Sequence, residues 1–255
     1  MHDLDNLITQ AAKLLRQSTC AVAMTGAGVS TPSGIPDFRS PDSGLWNQVD
    51  PFAVASVFAF RQRPQEFYDW IRPLARLMLD AQPNPAHHAL ARLETAGLLK
   101  SIITQNIDGL HQQAGSQWVH EVHGHMRQAT CIRCYQVVPA DSLIEALIER
   151  GQVPRCACGG VMKPNVILLG EQLPLHVLTA ARQDARACDV MLVAGSSLEV
   201  EPAADLPLVA LGRGARLIIV NYQATYLDER ADVLIHADVA HVLPRIADLA
   251  IDNLV

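Results

Sequence analysis

The 255-residue sequence has no run of about 18 apolar residues, the length a helix needs to cross a bilayer. Its opening stretch, MHDLDNLITQ, is acidic and lacks a basic segment ahead of an apolar one. No secretory signal is therefore expected, and the chain reads as soluble and cytoplasmic. Positive charge is also scarce: 20 Lys and Arg face 26 Asp and Glu, a net charge of −6. That balance excludes the basic footprint of a nucleic-acid-binding surface, so neither nucleic acid nor membrane is expected as a partner. Internal repeats and low-complexity tracts are absent too. What remains is an ordinary globular balance of 49% apolar and 18% charged residues, enough to bury the core of one large domain with a smaller insertion.

Cysteine is present in a pattern. Cys131 and Cys134 form C-x2-C, and after a gap Cys156 and Cys158 form C-x-C. In a cytosolic protein such a set favours a metal over disulfides. Four thiolates make a closed tetrahedral zinc site with no position open to water, so its role is expected to be structural. The one-residue gap suits extended backbone, where alternate side chains share a side. An unmetallated thiol cluster is the alternative. Cys20 and Cys188 each lead into an apolar run and read as small buried hydrophobes.

Leu4, Leu7, Ile8, Ala11, Leu14 and Leu15 recur on one helical face, which predicts an opening amphipathic helix. The run 21–24 reads as a buried strand ending in Thr25-Gly26-Ala27-Gly28. Asn84 as N-cap, Pro85 in the first turn and Gly97 just past the end mark a helix over 84–97. Strand-like runs follow at 101–104, 119–122, 165–169, 190–194, 217–220 and 233–236, with helical patterns at 175–187, 203–211 and 242–249. Such alternation predicts a parallel sheet covered on both faces. Two stretches break it. Residues 40–78 are rich in Pro and aromatics, and residues 126–162 hold the cysteines and a helix over 142–150. Both read as insertions that build a smaller module, leaving 1–39, 79–125 and 163–255 to the α/β scaffold.

Gly26 and Gly28 follow a strand, where glycine lets backbone N–H groups approach a pyrophosphate. The next glycine, Gly34, is too late for G-x-G-x-x-G, so a purely structural turn is an equal reading. A second strand–helix–strand unit adds weight. The strand at 190–194 ends in Gly195-Ser196-Ser197, and the strand at 217–220 ends at Asn221, where a partner for a ribose hydroxyl belongs. Simple capping of a strand end by Asn221 is the other possibility.

The stretch GAGVSTPSGIPDFRS at 26–40 resembles the sirtuin signature. Further sirtuin-like segments follow in order: TQNIDGLH at 104–111, VHG at 122–124, the four cysteines, Gly170-Glu171 with Pro174, and GSSLEVEPA at 195–203. The resemblance covers nearly the whole chain. It implies an α/β fold: a Rossmann-like parallel-sheet domain with a smaller zinc-ribbon and helical module inserted. NAD and an acylated-lysine protein or peptide would meet in the cleft between them. Carried over residue by residue, Ala27, Ile35, Phe38, Ile107 and Asp108 would form the nicotinamide pocket. Gly26, Gly28, Arg39, Gly195, Ser196 and Ser197 would face the phosphates. Gln105, Asn106 and His123 would surround the nicotinamide ribose, with His123 and Asn106 catalytic, and Asn221 would hold the adenine ribose. Val166, Leu169, Leu198 and Val200 would flank the substrate backbone as an added strand.

The implied activity is NAD-dependent lysine deacylation, yielding free lysine, nicotinamide and O-acyl-ADP-ribose. An acyl oxygen is a poor nucleophile, so the ribose carbon must be made electrophilic by expelling nicotinamide, with Asp108 as a partner in that pocket. The ribose 2′-hydroxyl then needs a base, and His123 titrates in the right range. His120 and His125 flank the site and read as structural. Mono-ADP-ribosyl transfer from the same NAD site is the runner-up; an idle NAD sensor and a dehydrogenase fit the residue set less well. The chain departs from the family pattern in the C-x-C pair and at Leu169, where sirtuins usually place Phe. In sirtuins that remove acidic acyl groups a Tyr-x-x-Arg pair grips the substrate carboxylate. Here Tyr68 is followed three residues on by Ile71, and Arg72 is rotated about 100° away along a helix, so neutral acyl groups are expected.

Overall fold

The computed structural model describes residues 2–38, 44–47 and 49–252. The chain opens with helix α1 (His2–Gln17), which buries Ile8, Ala11 and Leu15, and passes into strand β1 (Ala21–Thr25), buried along its whole length. Three helices follow in the Pro- and aromatic-rich stretch: α2 (Pro51–Ala55), α3 (Val57–Gln62) and α4 (Pro64–Asp80). Helix α5 (Pro85–Thr95) starts as its sequence requires. The Asn84 side chain accepts the Ala86 N–H, and Gly97 past the end takes φ +73°.

Strand β2 (Ser101–Thr104), helix α6 (Leu110–Gln113) and strand β3 (Val119–Glu121) come next. The cysteine region supplies β4 (Gly124–Cys131), β5 (Val137–Pro139), helix α7 (Asp141–Arg150) and β6 (Met162–Val166). The chain finishes with α8 (Leu175–Ala187), β7 (Val190–Ala194), α9 (Leu206–Leu211), β8 (Arg216–Val220), β9 (Val233–Ile235) and α10 (Val239–Ile251).

Six strands form one parallel sheet in the order β3-β2-β1-β7-β8-β9. Core residues of α1, α5 and α10 cover one face, and those of α8 and α9 cover the other. The strand order reverses between β1 and β7. In open α/β sheets ligands bind beyond the carboxyl ends of the strands at such a reversal, which points to the loops after Thr25 and Ala194. A second sheet, β5-β4-β6, is antiparallel, and α2–α4 build a third core of Phe60, Phe67, Ile71 and Leu74 against Val166 and Leu168.

The expected strand at 165–169 is not part of the parallel sheet. Pairing belongs instead to β6, an edge strand of the small sheet, where the missing N–H of Pro164 is tolerated. The apolar residues after Val166 leave the strand because Leu168 N–H is taken by the Glu171 carboxylate at 2.8 Å. The small sheet therefore spans residues 124–166. Helix α9 starts three residues later than its pattern suggests, with Pro207 in its first turn, and α10 starts earlier, at its N-cap Asp238. Among the described residues no helix is long and apolar enough to cross a membrane.

Candidate active site

The loops after β1 and β7 touch, and glycine makes the contact possible. Gly28 N–H donates to the Gly195 carbonyl at 2.8 Å, and a Cβ at Gly28 would sit 2.9 Å from the Gly195 Cα. Gly195 takes φ +58°, and its own Cβ would meet the Val29 nitrogen at 2.4 Å. The glycines expected beside a phosphate are thus needed first for loop-on-loop packing. The joined loops form one wall of a polar cavity of about 170 Å³. Gly26, Ala27, Gly28, Phe38, Gln105, Asn106, His123, Gly195, Ser196, Ser197 and Asn221 all line it.

A second cavity, about 260 Å³, runs from the same wall toward the helical module. Ile35, Ile107, Asp108, Val166, Leu169 and Val200 line it, with Trp46, Trp70 and Ile71 beyond them. Ala27, Phe38, Gln105, Asn106, His123 and Val200 border both cavities. The residues expected to be catalytic therefore stand where a polar and an apolar chamber meet.

Each polar group at this junction has a defined orientation. Asn106 spends its side-chain N–H bonds on the Gly26 carbonyl and on Ser30 Oγ, each at 3.1 Å, which leaves its carbonyl oxygen for a ligand. Ser30 Oγ donates to Asp108 Oδ2 at 2.7 Å, and Leu110 N–H donates to Oδ1 at 2.9 Å. Burial pushes the Asp108 carboxyl above its ordinary value against those two bonds. His123 Nδ1 faces the Gln105 carbonyl at 3.2 Å, so the neutral ring keeps its proton there and Nε2 is the basic nitrogen. The His123 carbonyl accepts Ile167 N–H at 2.9 Å, tying the ring's backbone to the loop after β6.

Residues 26–202 match the family model described as Sir2 family. The chain belongs to the Sir2 family. It is 45% identical over 235 residues to the NAD-dependent protein deacetylase of Sulfurisphaera tokodaii, covering 92% of each chain. A solved Sir2 enzyme structure superposes with a TM-score of 0.91 at 44% identity, over 96% of this chain and 98% of the other. A structure of a Sir2 enzyme bound to a myristoylated histone peptide superposes with a TM-score of 0.82 at 39% identity, over 98% and 97%.

The sirtuin zinc module is recognisable in the donor set. The sulfurs of Cys131, Cys134, Cys156 and Cys158 lie within 4.8 Å of one another, as four thiolates on one tetrahedral zinc require. Gly160 is needed beside them, because a Cβ there would meet Cys131 Sγ at 2.6 Å. Leu198, at φ +56°, turns its side chain into the core of the sheet and lines neither cavity. Arg39 lies outside the described residues. Ser196 is buried and its Oγ accepts Leu198 N–H at 3.3 Å, so it also shapes the turn.

His120 is structural as expected, held to Asp184 at 2.8 Å. Tyr68 is turned into the small module, its hydroxyl donating to the Met162 carbonyl at 2.5 Å, and Arg72 donates to the Ile148 carbonyl at 2.6 Å, away from the apolar cavity. Thr31, Asp37, Tyr222 and Gln223 also line the polar cavity and were not singled out in the sequence. Tyr222 and Gln223 directly follow Asn221, so extending the strand-tip argument by two residues finds them.

Proposed function

We infer that the polar cavity holds NAD, the apolar cavity holds an acyl-lysine side chain, and the reaction takes place at their shared wall. The chain is an NAD-dependent protein lysine deacylase. The observation that carries the placement is the position of Asn106 and His123 on the border of both cavities. The residues fit a dinucleotide. Gln105 Nε2 is buried beside the cleft with no partner among the described residues, and the β1 and β7 loops are glycine-packed at the strand-order reversal.

The chemistry supplied by bound NAD is an electrophilic ribose carbon, created by loss of nicotinamide and taken by the acyl oxygen. Gly26, Gly28, Gly195 and Ser197 line the phosphate end, and Asn221 the adenine ribose. Asp108 and Ile107 hold the nicotinamide end, with Ala27, Ile35 and Phe38 excluding water around it. Asn106 and Gln105 orient the ribose hydroxyls, and His123 removes the 2′-hydroxyl proton at Nε2. The four cysteines hold one structural zinc per chain.

The substrate is an acylated-lysine peptide lying between the loop after β6 and the segment ending at Val200. Leu169 already exchanges N–H and C=O bonds with Ala55 and Val57. Main-chain pairing with the peptide therefore falls on the Ile167 carbonyl and Gly170, while Val166 and Leu169 wall the side-chain channel. The small domain comprises the helical module at 40–78 and the cysteine module at 126–162 with its strand partners; the remainder is the NAD domain. The test is incubation with NAD and an acetylated peptide, followed by mass spectrometry. O-acetyl-ADP-ribose with stoichiometric nicotinamide is expected; its absence overturns the reading.

A further inference from the structure

Beneath the cleft lie four buried side chains that the chemistry above does not use: Thr25, His87, Thr104 and His111. His87 stands in the first turn of α5, and its Nδ1 accepts the Asn84 backbone N–H at 3.3 Å. His111 stands in α6, with its Nε2 2.9 Å from Thr25 Oγ1. The Thr25 hydroxyl donates to Thr104 Oγ1 at 2.9 Å, and the Asn106 backbone N–H donates to that same oxygen at 3.1 Å. Two ring nitrogens are left over. His87 Nε2 and His111 Nδ1 are both buried without a partner, and the two rings meet edge to face with centroids 4.9 Å apart.

The contacts place the His87 proton, and the Thr25-to-Thr104 direction places that of His111. Burial keeps both rings neutral, His87 lowered to about 4 and His111 to about 3, so each ring has one N–H and one bare nitrogen. His87 Nδ1 accepts a backbone N–H, so its proton is on Nε2. Thr25 has a single hydrogen and gives it to Thr104, so Thr25 oxygen accepts from His111, whose proton is on Nε2. His111 Nδ1 is then a bare acceptor, and His87 Nε2–H is the donor beside it. The opposite tautomer of either ring would set two donors or two acceptors against each other in a dry interior, where unpaired polar groups are costly.

We propose that these groups form one directed hydrogen-bond relay, from the Asn84 backbone through His87, His111 and Thr25 to Thr104, which fixes the Asn106 backbone at the junction of the cavities. No described protein group bonds either of these ring nitrogens, so one buried water between the rings, with a donor and an acceptor to satisfy it, completes the relay. His87 and His111 are thereby positioning residues, and the proposal rests on the role given to Asn106 above. The relay couples the N-terminus of α5, on one face of the sheet, to the reacting end of β2.

Ring-nitrogen NMR on the full-length protein with 15N-labelled histidine reads the tautomers directly. Both His87 and His111 are expected as Nε2–H forms; a proton on Nδ1 of either ring overturns the relay. This measurement needs no turnover, so it is independent of the deacylase reading, whose failure would appear as wild-type protein giving no O-acyl-ADP-ribose. The functional arm compares Thr25→Ser with Thr25→Val. The serine variant keeps the hydroxyl and should keep wild-type kcat. The valine variant should lose up to about a hundredfold in kcat, the scale of a small displacement of a reacting group, with little change in peptide KM. A folded Thr25→Val protein with full kcat overturns the positioning role; if that variant does not fold, the tautomer result alone decides.

Discussion

A backbone carbonyl sets the tautomer in which His123 can act as a base. With Nδ1 directed at Gln105 oxygen, the ring offers Nε2 to the cleft side. Replacing it, His123→Ala, should lower deacylation about 10²- to 10⁴-fold, the usual value of a lost general base. Nicotinamide exchange should survive in part, because the base acts after the ribosyl bond breaks; equal loss of both would contradict the assignment. A second side chain decides the acyl group. Ile71 lines the apolar cavity, and none of its described lining residues is Lys or Arg. A succinyl carboxylate there would be buried unpaired, at a cost of several kcal/mol. Acetyl- and butyryl-lysine should therefore be turned over well and succinyl-lysine poorly. Ile71→Arg should raise kcat/KM on succinyl-lysine about tenfold or more, the worth of one charge-assisted hydrogen bond. Succinyl turnover equal to acetyl turnover in the unmodified protein would show that a cation reaches the chamber.

The segment after β6 is the element on which the two modules meet. Its Ile167 bonds the His123 backbone, its Leu169 bonds both flanks of Ser56, and a clasp closes it: Lys163 Nζ lies 2.9 Å from Glu171 and donates to the Val166 carbonyl at 2.7 Å, while Glu171 accepts Leu168 N–H at 2.8 Å. Glu171→Gln should loosen this strap and raise peptide KM about tenfold with a smaller effect on kcat, and Lys163→Arg should preserve both. Unchanged KM in Glu171→Gln would show that the strap holds without its clasp. Stripping zinc, or Cys131→Ala, should release β4–β6 and abolish activity indirectly, and metal analysis should find about one zinc per chain.

Elements of this kind differ in how legible they are. Strand β7 and helix α8 end where their patterns end, because a continuous apolar run closed by glycine, or a 3.6-residue period opened by Pro174, is a local signal. The four cysteines and the glycine, serine and Asn106 positions of the polar cavity are likewise legible in order along the chain, whereas Thr31, Asp37, Tyr222 and Gln223 are not. The strand at 165–169 was misplaced, because the same apolar residues serve a buried parallel strand or a loop walled against a helical module. What separates them is Glu171 reaching back to Leu168, a tertiary bond with no periodicity. The direction of the Leu198 side chain has no local signal either: its left-handed backbone, not its hydrophobicity, sets where that side chain goes.

At the scale of the whole molecule, acid should unfold this protein through its buried histidines before its carboxylates. His87 is lowered from 6.5 to about 4 by burial and then by His88, and His111 from 6.5 to about 3 by burial and then by His87. His125 is lowered by burial and by Arg127, against an opposing pull from Glu121. For each of these rings the unfolded chain takes up a proton more readily than the native one. Their contribution to stability is therefore complete above about pH 6.5 and is lost as pH falls toward 4 and then 3. Asp189, held at about 2 by Ser18, Thr19 and the Cys20 N–H despite partial burial, has the same sign but acts lower, between 3.8 and 2. Asp108 has the opposite sign, since burial raises it, and it offsets a part of the loss near its own titration. Exposed pairs such as Arg92–Asp248 and Arg245–Asp5 contribute little in either direction. Tm should thus fall steadily from pH 6.5 to pH 4, ahead of the carboxylate range. His111→Gln removes one titrating ring, so it should start from a lower Tm at pH 7 yet lose less of it over the same interval. Thermal melts of the two proteins side by side check this: converging curves are expected, and parallel ones would assign the acid sensitivity to other groups.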